Sequence, residues 1–385
     1  MADTTTQPLK KTALHALHVE YGGKIVEFAG YDMPVQFPTG VKEEHLWTRS
    51  EAGLFDVSHM GPCFLTLNSG TRAEPAAHEE IAALVETLVP SDIKGLKPGQ
   101  SRLTVLLNAD GGILDDLIIT RPYAEDRQGM LYIVVNGAMK EQDWGLFEAA
   151  LAGQATLTRA DDRVLFALQG PKAEKVLAAY FPECAGLKFM ESRRMYLDGA
   201  RCMVSRCGYT GEDGFEVLIP AEAGAEFVRL LLDDPCVRPI GLGARDSLRL
   251  EAGLCLYGHD LSPEISPVEA DLSWVIQKRR REAGDFPGAE RILRELKEGP
   301  ARKRVGIRPL ERAPAREGTE IYVDGVPAGI VTSGGFGPSL DAPVAMGYID
   351  AAFAAAGTKI ELMVRGKARP AAIASLPFIP ARYKR

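Results

Sequence analysis

Two aspartates stand in an otherwise apolar run, Asn108-Ala109-Asp110-Gly111-Gly112-Ile113-Leu114-Asp115-Asp116-Leu117-Ile118-Ile119, immediately after a pair of glycines. The triplet Asp110-Gly111-Gly112 supplies residues that tolerate positive φ, which tight hairpin turns require. The apolar runs 103–107 and 113–120 on either side predict two strands. The segment is therefore interpreted as a β-hairpin that carries two acids on its second strand.

The carboxylates of Asp115 and Asp116 must point to opposite faces of the sheet, because side chains alternate along a strand. Asp116 shares its face with Leu114 and Ile118. Asp115 shares the opposite face with Ile113 and Leu117. A carboxylate on either face loses hydration and needs a partner or a ligand. The pattern leaves open which acid enters a cavity. It also fits a structural acid that caps a loop or pairs with an arginine.

The bulk composition is that of a water-exposed globular protein. The chain has 385 residues, of which 46% are hydrophobic and 25% charged, enough for two or three domains with cores. Its net charge of −7 argues against a nucleic-acid partner, which would need a broad basic surface. No apolar run approaches membrane-spanning length, and residues 1–7 resemble neither a signal nor a transit peptide. We expect a cytoplasmic protein without a membrane partner.

Motifs for metals and dinucleotides are missing from the sequence. The six cysteines include no Cys-x-x-Cys pair, and no cluster of histidines and acids has the spacing of a metal site. There is no phosphate-binding loop, and the glycines around Gly241 and Gly243 lack the third glycine of the dinucleotide fingerprint. We therefore expect no metal, no flavin and no NAD.

The order of the predicted elements indicates an α+β fold. Strands and helices alternate irregularly, without the regular rhythm of a wound parallel sheet. After about Gly299 the chain becomes rich in short β-runs separated by turn signals, which predicts a small barrel or sandwich. We predict two interleaved α+β domains in residues 1–283 and a β-barrel domain in residues 284–385. Helices are predicted at 9–21, 41–52, 74–88, 137–151, 171–180, 221–232 and 243–252, and C-terminal strands at 304–307, 320–323, 328–332, 344–349, 359–364 and 371–374.

The segment from Cys207 to Glu216 packs three glycines around three acids. Glycine lets a backbone approach a ligand closely, and a carboxylate can accept two hydrogen bonds from the N–H groups of a heterocycle. Glu212 and Asp213 also fit an exposed hairpin loop. Glu216 lies between two apolar residues of a predicted strand, which favours a functional role.

Several cationic and aromatic residues have two interpretations each. Arg245 and Arg249 lie four apart on a predicted helix, where they can bind a carboxylate or pair with nearby acids. The basic run Lys278–Arg281 fits a solvated patch or a dock for an acidic partner. Core packing is the default for Trp274, but Tyr383 lies close to the chain end and has no such default.

At these positions the chain resembles the aminomethyltransferase, or T-protein, family of the glycine cleavage system. Matching blocks occur in order along nearly the whole chain, and such a series is far more specific than one Gly-Gly-x-x-Asp-Asp motif. The stretch from Asn68 to His78 departs from the family pattern, being longer and more polar. The matching blocks are 22–31, 54–60, 111–116, 167–171, 207–214, 244–257, 285–289, 332–334, 346–348 and 377–378.

The resemblance implies three domains arranged as a cloverleaf around a folate channel, the last a small barrel or jelly roll. It implies transfer of the one-carbon unit from an aminomethyl group on the lipoyl H-protein to tetrahydrofolate, with release of ammonia and formation of 5,10-methylenetetrahydrofolate. Asp116 matches the catalytic acid and Glu216 the pterin-binding acid. The other folate-site matches are Arg245 and Tyr383 and, at cavity positions, Met60, Asn136, Tyr209 and Trp274.

Three rival functions remain at this point, of which one is an inactive homologue that only scaffolds partners. The folate domains of sarcosine and dimethylglycine oxidases share the fold, but they accompany a flavin domain that this sequence lacks. A non-catalytic folate-binding protein would carry a Lys-Gly-Cys-Tyr loop, where this chain has Arg206-Cys207-Gly208-Tyr209. The retained Asp115-Asp116 pair favours the enzyme.

Overall fold

The computed structural model describes residues 8–69 and 73–385. Two open sheets, a two-stranded ribbon and a closed barrel make up its β-structure. Within these residues no helix is long and apolar enough to cross a membrane. The helices are α1 (His15–Glu20), α2 (Val41–Ser50), α3 (Pro75–Val85), α4 (Lys140–Ala150), α5 (Ala173–Ala178), α6 (Ala221–Leu232), α7 (Leu242–Glu251), α8 (Lys278–Ala283) and α9 (Ala289–Glu298).

The strands fall into a first group before α7 and a second group after α9. The first group is β1 (Lys24–Phe28), β2 (Tyr31–Gln36), β3 (Ala52–Asp56), β4 (Gly61–Leu67), β5 (Ser101–Leu107), β6 (Ile113–Thr120), β7 (Met130–Val135), β8 (Ala155–Arg159), β9 (Val164–Gln169), β10 (Glu191–Leu197), β11 (Ala200–Arg206), β12 (Gly214–Ile219) and β13 (Val237–Pro239). The second group is β14 (Arg302–Pro309), β15 (Glu320–Val323), β16 (Val326–Gly337), β17 (Ala342–Asp350), β18 (Lys359–Val364) and β19 (Lys367–Ala374).

Sheet I has the strand order β5-β6-β7-β4-β8 and contains the predicted hairpin. β5 and β6 pair antiparallel, as the alternating pattern indicates. The turn differs from the prediction, because Gly111 has positive φ and Gly112 does not. The side chain of Asn108 organises the loop instead, since its Oδ1 accepts hydrogen bonds from the N–H groups of Asp110 and Gly112 at 3.0 and 2.8 Å. These Asx-type hydrogen bonds stabilise the turn without a positive φ at Gly112.

Sheet II has the strand order β10-β11-β12-β9-β3-β13. Its outer face packs on α5 and α6 through a core that includes Phe166, Phe215 and Phe227. β11 and β12 pair antiparallel across the glycine-rich loop. The opposite face of sheet II therefore remains for contact with the rest of the molecule.

The inner faces of the two sheets meet in a shared apolar cluster. Tyr132 and Val134 of sheet I contact Leu165 and Leu218 of sheet II, and Leu248 of α7 joins them. On the other face of sheet I, α3 and α4 cover a separate core that includes Trp144. Asp116 shares its face with Ile118, whereas Asp115 is buried among the residues under α4. The space between the sheets is thus the place where an acid from β6 meets residues of β12 and α7.

The C-terminal strands close into a six-stranded barrel in the order β14-β17-β16-β15-β18-β19. β15 and β18 have the predicted bounds, and the other strands extend the predicted runs. Together with the sheets and helices described above, this barrel confirms the predicted α+β class. Helix α9 precedes it and packs its Ile292 against β5 and β6 near the hairpin turn.

Five predicted helices are shorter than their patterns indicate, those at 9–21, 41–52, 74–88, 137–151 and 171–180. The helix predicted at 9–21 is reduced to α1 because Lys10 pairs instead with Tyr31 in a parallel bridge. The helix predicted at 41–52 ends at Ser50, and Gly53 lies inside β3 rather than after the helix. Residues 70–72 of the polar stretch 68–78 lie outside the described residues.

Replacing Gly112 with alanine is expected to destabilise the fold by about 2–3 kcal/mol or more, since overpacking of a tight contact is destabilising. A Cβ at this position would lie 1.6 Å from the carbonyl oxygen of Pro263, where no side-chain rotation can relieve it. Urea unfolding measures the effect. Gly145→Ala in α4 is the control, because no atom lies within 4 Å of its Cβ position. That variant should gain about 0.5–1 kcal/mol, and equal stability of the two variants would contradict the clash.

Candidate functional site

Three predicted site residues lie in one row across sheet I. Ile118 of β6 is opposite Val134 of β7, so the same register places Asp116 opposite Asn136. Gly61 of β4 is opposite Val135, which places Met60 beside Asn136 on the other side. Asp116, Asn136 and Met60 come from separate parts of the sequence, and strand pairing alone brings them together at one end of the sheet.

The carboxamide of Asn136 connects the two aspartates of β6. Its Nδ2 lies 2.9 Å from Oδ1 of Asp116 and 2.8 Å from Oδ1 of Asp115. Its backbone N–H also donates to Oδ2 of Asp115 at 3.1 Å. A donor shared in this way fixes the position of the Asp116 carboxylate, because both partners of Asn136 are held by the sheet.

Burial raises the pKa of Asp116 to about 7, and the neighbouring charge of Asp115 adds to the shift. Asp116 nevertheless keeps part of its surface accessible. A raised pKa together with partial exposure is expected for a side chain on the wall of a recess, because water is present there but cannot solvate a charge fully. Asn136, Met60, Tyr209, Glu216 and Arg245 share this partial exposure.

Glu216 enters the site from sheet II. It lies between the buried Phe215 and Val217 of β12 but points to the other face, toward the space between the sheets. Burial raises its pKa, and the charge of Arg245 partly offsets that shift. The Cys207 thiol hydrogen-bonds to its carboxylate. An acid that is buried this far and still partly accessible can accept hydrogen bonds from a ligand.

Arg245 is the cation that faces Glu216. Its guanidinium lies 4.8 Å from the ring centroid of Tyr209, and its buried Nη1 has no hydrogen-bond partner. Arg249, four residues further along α7, forms ion pairs with Asp246 and Asp260 at 2.8 Å each. Of the two interpretations offered by this pair, structural pairing applies to Arg249, and Arg245 keeps a free donor for a ligand.

Tyr209 links the two halves of the site. Its hydroxyl donates to the carbonyl of Cys255, and the charges of both Asp116 and Arg245 act on it. The recess therefore carries an acid at one end and an acid with a cation at the other. The structure brings Asp116, Asn136 and Met60 of sheet I together with Tyr209, Glu216 and Arg245.

The C-terminal tail closes one side of the Cys207 loop. The ring of Tyr383 stacks on Phe189 with centroids 3.9 Å apart and planes 6° apart. The backbone N–H of Arg382 donates to the carbonyl of Gly211 at 2.9 Å. Chain ends usually fray, so a tail held by stacking and backbone bonds indicates that Tyr383 is fixed in place.

Trp274 lies outside this group. Its side chain is 56% exposed, so the prediction that it packs in the core is wrong. It lies in a short 3-10 turn, Ser273–Val275, in which Val275 is the buried residue. Trp274 and Val275 are neighbours in this turn, and the sequence pattern does not show which of the two side chains is buried.

The basic run Lys278–Arg281 combines one buried arginine, Arg280, with three exposed cations. Arg279 pairs with Glu86 and Asp92, and the buried Arg280 donates to the carbonyl of Glu86 at 2.6 Å. Arg281 donates to the carbonyl of Ile276. Arg279 and Arg280 therefore hold α8 against the segment after α3, whereas Lys278 is 88% exposed and lies 3.7 Å from Glu282 of its own helix.

A buried charge network below the Cys207 loop was missed from the sequence. Glu212, predicted to be exposed, is 1% accessible and lies 2.9 Å from Nη1 of Arg49. The other nitrogen of Arg49 lies 3.0 Å from Glu251, which also contacts His45. Burial alone would raise the pKa of Glu251, but hydrogen bonds from His45 and Ser339 and the charge of Arg49 lower it to about 2. The partners are too far apart in sequence for any spacing rule to join them.

The geometry suits a reaction in which positive charge develops in a partly dry recess. Asp116 can stabilise such a charge without moving, because Asn136 already holds it. Glu216 and Arg245 offer an acceptor and a donor for a polar heterocycle. A nucleophilic role for the nearby thiols is disfavoured, since burial raises the pKa values of Cys207 and Cys255.

Comparisons with known proteins agree along the whole chain. Residues 14–280 match the family profile described as the GCVT N-terminal domain, and residues 302–379 match the glycine cleavage T-protein C-terminal barrel domain. The chain is 45% identical to a probable mitochondrial aminomethyltransferase of Schizosaccharomyces pombe, over 97% of this chain and 94% of that protein. It is 44% identical to the mitochondrial aminomethyltransferase of Gallus gallus, over 97% and 94%. Its structure is similar to that of glycine cleavage system aminomethyltransferase T from Bartonella henselae, with a TM-score of 0.89 and 42% identity over 98% of this chain and 100% of that one.

Proposed function

The chain belongs to the glycine cleavage T-protein family and is an aminomethyltransferase, and we propose that it transfers the one-carbon unit of an aminomethyl group to tetrahydrofolate. The donor is the aminomethylated lipoyl group of a glycine cleavage H-protein. Ammonia leaves, and the product is 5,10-methylenetetrahydrofolate. The observation that supports this proposal is that the charges of Asp116 and Arg245 both act on Tyr209, while Arg245 also faces Glu216.

Asp116 is proposed as the catalytic acid. The carbon in transit loses ammonia and meets an amine nitrogen, so positive charge develops on it. A carboxylate held in a recess of low polarity interacts with such a charge more strongly than a carboxylate in water does. Asn136 orients the carboxylate through its contact of 2.9 Å, so little reorganisation accompanies the step.

Glu216 and Arg245 are proposed to hold the heterocycle of the folate. The carboxylate accepts hydrogen bonds from ring N–H and amino groups, and the unpartnered Nη1 of Arg245 supplies a donor. Tyr209, Met60 and the stacked Tyr383 are proposed as further contacts. Trp274 was also predicted there, but its exposed position offers no support for that role.

Ammonia release is the decisive assay for the proposed function. Purified protein is mixed with aminomethylated H-protein, and ammonia is followed with and without tetrahydrofolate. We expect rapid, folate-dependent release. A non-catalytic folate-binding protein would bind folate and leave the rate at the background level, which would overturn the enzyme assignment.

Replacing Glu216 with glutamine is expected to weaken folate binding by about 10- to 100-fold, because a hydrogen bond to a charged group contributes roughly 1.5–3 kcal/mol. The glutamine keeps the shape but presents an N–H group where an acceptor is needed. Isothermal titration with tetrahydrofolate measures the dissociation constant.

The matched control for that variant is Glu222→Gln, because Glu222 is an exposed acid in the first turn of α6, just after β12. It should bind folate as the unchanged protein does. Equal dissociation constants for Glu216→Gln and the control would remove Glu216 from the proposed folate site.

A further inference from the structure

Asp115 and Asp143 form a buried acid pair that the proposed chemistry does not use. Both residues have no accessible surface. Asp115 points away from the recess, into the core under α4, and Asp143 lies on the first turn of that helix. Their side chains hydrogen-bond to each other. An ionised carboxylate can only accept, so this bond requires a proton on one of the two.

The surroundings of the pair supply no compensating cation. Within residues 8–69 and 73–385, no lysine, arginine or histidine forms an ion pair with either acid, and the side-chain donor that acts on Asp143 is the neutral carboxamide of Gln142. The titratable groups that face the pair are Asp116 on β6, Cys63 on β4 and Tyr257. Burial raises the pKa of both Asp115 and Asp143. Two adjacent carboxylates in such a setting cannot both be ionised near neutral pH.

Asn136 decides which acid carries the negative charge. Both oxygens of Asp115 accept hydrogen bonds from Asn136, one from the carboxamide at 2.8 Å and one from the backbone at 3.1 Å. These donors favour an ionised Asp115. The shared proton therefore lies on the side of Asp143, which donates to Asp115.

We propose that Asp143 and Asp115 are positioning residues that share one proton, and that the resulting single anion on Asp115 orients Asn136 toward Asp116. The chain of contacts runs from Asp143 to Asp115, to Asn136 and to the catalytic carboxylate. The role in catalysis rests on the proposed function, but the shared proton does not.

The pair has a second effect on the site. The charge on Asp115 opposes the ionisation of Asp116, which lies next to it on the strand. Removing that charge should let Asp116 lose its proton at lower pH, so the acid limb of the rate profile should move to lower pH. A purely structural role of the pair would not move this limb.

Infrared spectroscopy tests the shared proton without any turnover. The spectra are taken on Asp116→Asn protein labelled with carbon-13 aspartate, so that the catalytic acid contributes no signal. We expect a band of a protonated carboxylic acid near neutral pH. Adding Asp143→Asn should remove it, because the asparagine donates an N–H to an ionised Asp115. Persistence of the band in the double variant would overturn the shared proton.

Kinetics test the positioning role in the otherwise unchanged protein. Asp115→Asn should lower kcat by roughly 10²-fold, because its amide cannot accept both donors of Asn136 and Asp116 is misplaced. Its acid limb should move to lower pH, and the dissociation constant of tetrahydrofolate should stay the same. Asp143→Asn keeps the anion on Asp115, so its limb should stay in place and its kcat should fall by less than about tenfold.

Glu141→Gln is the control for these variants, since Glu141 lies on the same helix but is 62% exposed. It should change neither kcat nor the acid limb. If Asp115→Asn lowers kcat with the acid limb unmoved, the pair is structural and the proposal fails.

If Asp115→Asn does not fold, as judged by near-ultraviolet circular dichroism, Asp143→Asn and Asp143→Leu carry the test. The leucine removes the donor to Asp115 and should lower kcat well below that of the asparagine variant, and equal rates would overturn the proposal. Absence of ammonia release by the unchanged protein would instead refute the proposed function and leave the infrared result standing.

Discussion

Asp116→Asn should lower kcat for ammonia release by roughly 10²–10⁴-fold, the contribution typical of a positioned acid or base. The change removes the carboxylate proposed to face the carbon in transit and leaves the proposed folate contacts of Glu216 and Arg245 in place. Tetrahydrofolate binding should therefore stay within about threefold of the unchanged protein. Single-turnover ammonia release and isothermal titration measure the two quantities, and full activity in this variant would exclude Asp116 from the mechanism.

The pH dependence follows from the pKa of about 7 for Asp116. Stabilising a positive charge, the role proposed for Asp116, requires its ionised carboxylate, so kcat should fall as the pH drops through about 7. The raised pKa also means that ionising Asp116 weakens the fold, by an amount that grows as the pH rises from about 4 to about 7. Above that range Asp116→Asn should be more stable than the unchanged protein, by up to about 2–4 kcal/mol. A variant that is both inactive and less stable at pH 8 would contradict this account.

Arg49→Leu should destabilise the protein by about 3–5 kcal/mol, since it leaves two buried acids without their cation. Glu212 and Glu251 lie 2.9 and 3.0 Å from the guanidinium and have almost no accessible surface. The unchanged protein gains stability from Glu251, whose pKa is lowered to about 2, at every pH above its ordinary value. The deficit of Arg49→Leu should therefore be largest near neutral pH and shrink as the pH falls toward 2.

Urea unfolding at several pH values measures this deficit. The control is Arg312→Gln, because Arg312 is 78% exposed and its contact with Asp341 is 3.4 Å long. An exposed pair of this kind contributes little, so the control should change stability by less than about 0.5 kcal/mol. If Arg49→Leu lowers the free energy of unfolding by less than about 1 kcal/mol, water must reach Glu212 and Glu251 and solvate their charges.

The fold could be predicted best where local signals decide it. The hairpin around Gly111 and the barrel strands at 320–323 and 359–364 follow from alternating apolar residues and turn residues within one short segment. The helix predicted at 9–21 failed because Lys10 pairs with Tyr31, a partner on another element. Tertiary pairing of this kind overrides a helical pattern that would hold in isolation.

In the candidate site, too, local sequence signals predict some features, whereas tertiary packing decides the others. Strand alternation separates Asp115 from Asp116, but only the packing of sheet I against sheet II decides which face becomes the recess. Glu212 sits in a loop whose composition indicates exposure, and a partner 163 positions away buries it. The family resemblance provided the assignment of Asp116 and Glu216, because it carries tertiary information that spacing within one sequence lacks.

The C-terminal tail has a consequence for how the molecule is made. Residues 382–384 hold Gly211 and Phe189 of the middle of the chain by backbone bonds. Synthesis starts at the N-terminus, so Phe189 and Gly211 leave the ribosome well before residues 382–384 do, and earlier elements are free to fold. The wall of the recess beside Tyr383 can therefore form only after residues 382–384 have also emerged. A nascent chain stalled before residue 382 would hold both sheets and an incomplete wall.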